Sequence, residues 1–108
     1  MTKSHFILFL LNLLIFATSL EASQYSLETK NGYFFPEVIE IPANEKVILL
    51  VKNTGSEAEE FESLELNREK IVLPGKTIKV KLGPLKPGEY SFFGEFHPNT
   101  ANGKILVK

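Results

Sequence analysis

Polar and apolar residues alternate most regularly in Lys76-Thr77-Ile78-Lys79-Val80-Lys81-Leu82, where Ile78, Val80 and Leu82 share one face and the lysines face away. A period of two marks an extended strand with one buried face. Residues 47–51 (VILLV) are apolar on both faces, which suits a central strand of a sandwich. Shorter runs predict strands over 25–30, 38–41, 61–66, 70–73, 89–93 and 104–107. Turn signals separate them at Asn53-Thr54-Gly55, Pro74-Gly75, Pro87-Gly88 and Asn102-Gly103. No stretch keeps a helical period between caps. So many short strands in so few residues predict an all-β fold, an antiparallel β-sandwich of seven or eight strands.

The first 22 residues follow another pattern. Lys3 supplies a positive start, and residues 6–17 (FILFLLNLLIFA) form a short apolar run interrupted by Asn12. Thr18, Ser19 and Glu21 end that run before it reaches the roughly 20 residues a membrane-spanning helix needs. This reads as a secretory signal peptide over 1–22, cleaved after Ala22, followed by one domain over 23–108. No cysteine follows the apolar run, so a lipid anchor has no thiol to attach to. The expected product is exported and periplasmic.

Cleavage would remove Met1 and His5 and leave His97 as the one histidine. The remaining domain has room for a single core, and with no cysteine in the chain no disulfide can brace it. Its charges are nearly balanced, 12 Glu against 11 Lys plus Arg, which argues against nucleic acid as a partner. Aspartate is absent altogether. The serines have one histidine to serve as base and no nucleophile motif around them, so the chain is not expected to be an enzyme.

Candidate chemistry concentrates in two places. Glu60-Phe61-Glu62 sets two carboxylates on one side of an apolar residue, and Gly94-Glu95-Phe96-His97 sets a carboxylate and an imidazole at the same i, i+2 spacing. On extended strands each pair shares a face. Carboxylate and imidazole together suit iron or copper(II), whereas blue copper needs a thiolate that the chain lacks. Glu69 is a weaker candidate, with Arg68 or Lys70 as its expected partner. Glu57 and Glu59 read as members of a solvated acidic run.

The order of these signals resembles a known family. Phe35-Pro36-Glu37-Val38-Ile39-Glu40-Ile41-Pro42-Ala43, then Val51-Lys52-Asn53, Leu73-Pro74-Gly75, Leu85-Lys86-Pro87-Gly88-Glu89-Tyr90 and a closing Asn102-Gly103-Lys104-Ile105-Leu106-Val107 are similar to cupredoxin-like domains, and to the EfeO-type in particular. The resemblance implies a Greek-key sandwich and an association with periplasmic iron uptake, with an iron permease or another uptake component as partner. It places Glu60-Phe61-Glu62 at the family's glutamate-rich segment and residues 93–101 at its last ligand loop. Some members carry cysteines where Gly94 and Phe34 or Phe35 stand here, so a thiolate site does not carry over.

Two functions are therefore expected of different kinds. The first is an exported protein that binds iron or copper(II) through Glu60, Glu62, Glu95 and His97, converging at one end of the sandwich. The second is a metal-free module that binds a protein partner.

Overall fold

The computed structural model describes residues 21–108, so the expected leader lies outside the described residues except for Glu21 and Ala22. Among the described residues there are nine strands and no helix: β1 (Ser23–Lys30), β2 (Tyr33–Phe35), β3 (Val38–Ile41), β4 (Val47–Asn53), β5 (Glu59–Ser63), β6 (Arg68–Val72), β7 (Thr77–Leu82), β8 (Gly88–Gly94) and β9 (Asn102–Val107). They form two facing sheets, ordered β2-β1-β4-β7 and β3-β9-β8-β5-β6.

Two pairings depart from a wholly antiparallel sandwich. The chain crosses from β2 to the second sheet at β3 and returns at β4, which therefore lies parallel to β1. The same crossing leaves β3 parallel to β9. The extra strand, β2, is a three-residue partner of β1. Its turn, Asn31-Gly32, has positive φ at both residues (45° and 88°), the geometry an Asn-Gly hairpin favours.

Alternation on β4 and β7 puts Val47, Leu49, Val51, Val80 and Leu82 inside, each at most 3% exposed. Three aromatics from three strands bridge the layers: Phe34, Phe61 and Phe92. Phe61 stacks on Phe92 at 5.2 Å between centroids, and Phe34 meets both edge-on at 6.2 and 5.1 Å. Such pairs add to the burial of large apolar surface.

The sheets leave one seam open, between β6 and β7. Arg68 Nε donates to Lys81 O (2.9 Å) and Lys70 Nζ to Lys79 O (3.1 Å), so two side chains of β6 cap carbonyls of β7 that no strand covers. Unpaired edge carbonyls invite pairing with another chain, and this capping blunts one such edge.

Because Phe61 is fully buried at the centre of the aromatic trio, Phe61→Ala should cost about 3–5 kcal/mol. Urea denaturation followed by near-ultraviolet circular dichroism should show a lower midpoint with far-ultraviolet spectra still free of helix.

Candidate functional site

Asn53 ends β4 and organises the loop that follows. Its buried side chain donates to Glu57 O (2.8 Å) and Val72 O (3.0 Å), and its oxygen accepts from Gly55 N (2.9 Å). The loop delivers Glu57 and then β5. On β5 the pleat turns Glu59, Phe61 and Ser63 inward and Glu60 and Glu62 outward, as their burial alternates. The second loop begins where β8 stops at Gly94. It is closed by Gly94 N to Ala101 O (2.8 Å), His97 N to Gly94 O (3.1 Å) and Ala101 N to His97 O (2.9 Å).

That turn separates Glu95 from His97. Their i, i+2 spacing implied a shared face on a strand, but the strand has ended at Gly94. The expected convergence of Glu60, Glu62, Glu95 and His97 is therefore divided into two groups on opposite faces of β5.

The outward group is carboxylate alone. Glu62 lies opposite Glu69 across the β5–β6 ladder, and one oxygen of each of Glu60, Glu62 and Glu69 lies within 4.8 Å of the others. Glu95 joins them: its backbone N–H donates to Glu60 O at 3.0 Å, and its charge acts on both Glu60 and Glu62. Arg68 and Lys70, the expected partners of Glu69, flank it in sequence and so point to the other face of β6, where they cap β7. Among the described residues no Lys, Arg or His forms an ion pair with any of these four glutamates.

Like charges at such range oppose ionisation. Glu60 is raised above its ordinary 4.5 by partial desolvation, then by its hydrogen bond to Glu69 and the charges of Glu69, Glu62 and Glu95. Glu62 is raised by partial desolvation, then by the charges of Glu95 and Glu69.

The inward group holds the histidine. Glu59, which the acidic run suggested would be solvated, is 1% exposed. Its Oε1 accepts from the backbone N–H groups of Glu60 and Phe96, both at 3.0 Å, and its Oε2 lies 2.6 Å from His97 Nδ1. The other ring nitrogen, Nε2, lies 2.6 Å from Oε2 of the exposed Glu57. With a carboxylate at each nitrogen, the doubly protonated ring is the form that donates to both. The hydrogen bond to Glu59 raises the pKa of His97 above 6.5; burial opposes the rise, and the hydrogen bond to Glu57 and the charges of both carboxylates add to it.

The one sequence signal for this pairing was the strand alternation itself. If Phe61 is inside, so is Glu59, and a buried carboxylate needs a donor.

Both groups lower stability as pH rises, over different ranges, because every one of these pKa values is raised in the folded state. The folded pKa of His97 is raised, so its stabilisation is complete below 6.5 and is lost as pH rises through the raised value. His97→Gln should cost about 1.5–3 kcal/mol near pH 6, with a gap to the wild type that narrows at alkaline pH. Raised carboxylate pKa values act as a penalty that grows as pH climbs through them. The double variant Glu60→Gln/Glu62→Gln should therefore gain stability relative to the wild type as pH rises above the ordinary carboxylate value of 4.5. Urea midpoints measured from pH 5 to 9 check both slopes.

Comparison with known proteins agrees with this architecture. An uncharacterized protein of Rickettsia prowazekii (strain Madrid E) is 44% identical over 84 residues, 78% of this chain and 67% of that protein. Auracyanin A, a "blue" copper protein from Chloroflexus aurantiacus, superposes with a TM-score of 0.69 at 13% identity, covering 82% of this chain and all of that one. The metal-binding domain of the Cu(I)-exporting P-type ATPase of Streptococcus pneumoniae D39, determined with Cu(I), gives 0.67 at 14% identity, covering 83% and 91%. At such identities these structures show the shared fold. The profile of the cupredoxin-like domain matches residues 4–107, and the chain belongs to that family.

Proposed function

We propose that this is an exported metal-binding protein that takes a cation through oxygen ligands on the outer face of its five-stranded sheet, in support of metal uptake. The observation that carries this reading is the uncompensated carboxylate cluster of Glu60, Glu62 and Glu69, with Glu95 beside it. A hard, highly charged cation favours the ionised carboxylates that desolvation and neighbouring charges oppose at Glu60 and Glu62, and oxygen donors without thiolate favour iron over soft metals. Copper(II) is the second choice. The resemblance to EfeO-type domains supports a periplasmic location and an iron permease or similar component as the receiving partner. Binding and delivery need no catalytic group, and the proposal includes no reaction.

Type-1 copper does not fit this chain. Cysteine is absent, and the histidine of the loop has a carboxylate on each ring nitrogen.

One observation favours a second reading, a metal-free module that binds a protein partner through its acidic face. The end of the sandwich that carries His97 is already held together by protein groups alone.

Equilibrium dialysis of the exported protein against iron(II) without oxygen, iron(III) citrate and copper(II) tests the first reading. About one iron per chain is expected. Glu60→Gln/Glu62→Gln should weaken binding roughly 10-fold or more, while Lys79→Ala, on the far sheet, changes nothing. Binding should also fall as pH drops through the raised carboxylate values of Glu60 and Glu62, because protons then compete for the ligand oxygens. His97→Gln should leave binding intact, since the ring faces away from the cluster. Dialysis without uptake of any of these metals would overturn the reading in favour of the partner module. Amino-terminal sequencing of the exported protein should begin near Ser23.

A further inference from the structure

Gly94 stops β8 directly against Glu59. A Cβ at position 94 would stand 2.5 Å from the Glu59 carboxyl carbon and 2.6 and 2.7 Å from its oxygens. That is far inside van der Waals contact. Gly94 is not among the glycines with positive φ, so the backbone does not demand glycine here and the requirement is one of space. The carboxylate of Glu59 occupies the volume into which a side chain from the end of β8 would project.

We infer that the Glu59–His97–Glu57 bridge closes this end of the sandwich in place of a metal, with Glu59 as the space-filling anchor and His97 as its counter-ion. Three observations support it. First, both oxygens of Glu59 are engaged: one by two backbone N–H groups, from Glu60 and from Phe96 in the second loop, the other by the imidazole. This single side chain therefore ties β5 to the loop after β8.

Second, the nitrogen–oxygen separations at His97 are both 2.6 Å. Each is a direct hydrogen-bond distance between ring and carboxylate. An ion with bonds of about 2 Å keeps its ligand atoms roughly 3 Å apart, so a metal between ring and carboxylate would have to force them open. Third, the ring has little room to move. It packs on Gly32, where a Cβ would be 3.1 Å from ring carbons Cγ and Cδ2, and Thr100 Oγ1 donates to Gly32 O at 2.6 Å, fastening the loop beneath it.

The bridge lies on the opposite face of β5 from the carboxylate cluster. It therefore stands whether or not that cluster binds a cation. Among the described residues every buried side-chain polar atom has a partner, so no buried side-chain donor or acceptor at this end is left unpaired.

The test uses Glu60→Gln/Glu62→Gln as its background, so that a cation on the outer face cannot contribute. In that protein, removal of metals with a chelator should leave Tm unchanged within about 1 °C, on a scale where 1 kcal/mol is worth several degrees. Nitrogen-15 spectra at pH 6 should show both ring nitrogens of His97 protonated, and one equivalent of zinc(II) should not move them. A chelator-induced fall in Tm, or His97 signals that shift in proportion to zinc, would overturn the inference.

A second arm tests the space. Gly94→Ala alone should lower Tm by roughly 10 °C or more, because it drives a methyl group into a buried, charged side chain. In a Glu59→Ala background the same change should be nearly neutral. Equal cost in both backgrounds would refute the assignment of that volume to Glu59.

Either change at full strength risks unfolding, and Glu59→Gln guards against that. Its amide oxygen accepts the same two N–H groups, while its NH2 faces Nδ1. The ring then keeps one proton, on Nε2, and the nitrogen-15 spectrum should report a neutral imidazole in a folded protein. A doubly protonated ring in Glu59→Gln would show that Glu59 is not its counter-ion.

Discussion

A carboxylate at 1% exposure is the most demanding group in this domain. An ionised carboxyl removed from water costs several kcal/mol unless hydrogen bonds and an opposite charge replace the solvent. Glu59 is inside because β5 must bury Phe61 and the pleat carries residues two apart to the same side. Once Phe61 joins the aromatic centre, Glu59 follows it inward, and the surroundings have to supply donors. They come from one neighbour in sequence, Glu60, and from a loop almost forty residues away, through Phe96 and His97. The buried charge thus dictates the shape of the loop, and the loop in turn leaves glycine at position 94.

The same alternation explains why the domain has two acidic regions with different chemistry. Inward carboxylate meets backbone donors and imidazole, and its charge is neutralised by the protein. Outward carboxylates meet one another. Because β6 pairs with β5 in register, Glu69 lands opposite Glu62, and the turn after Gly94 adds Glu95 to the same face. Among the described residues no Lys, Arg or His pairs with that face, so an external cation there would meet no competing protein charge. A metal there needs no change to the fold, whereas a metal at His97 must break a closed network.

Much of the sandwich was legible in the sequence. The Lys76–Leu82 alternation and the VILLV run correspond to β7 and β4, and Pro74-Gly75 falls between strands where expected, whereas Asn102-Gly103, expected as a turn, opens β9 and pairs with Phe93 and Phe92. β2 was missed because three residues are too few to show a period, although Asn31-Gly32 is a hairpin signal by itself. The parallel pairings could not be read locally, since they arise from crossings between sheets. At the site, the outward pair Glu60 and Glu62 followed from spacing. Grouping His97 with them failed because the i, i+2 rule holds only while the strand continues, and residue 94 was its last. Glu57 is exposed as expected, but counting Glu59 with it as solvated treated a charge run as one surface. The pleat had already divided it.

The open seam between the sheets completes the electrostatic picture. With no disulfide to brace it, the sandwich must keep the bare edge of β7 from pairing with other chains, and Arg68 and Lys70 cover its carbonyls. Those two residues are also the cations nearest in sequence to Glu69. Alternation on β6 makes the two tasks exclusive: a lysine that reaches β7 cannot also sit on the outward face with Glu60, Glu62 and Glu69. Protection of the edge therefore withdraws the counter-charges from the carboxylate face. The acidity of that face is a consequence of how the sheet is finished, and among the described residues no protein cation pairs with the clustered carboxylates of Glu60, Glu62 and Glu69.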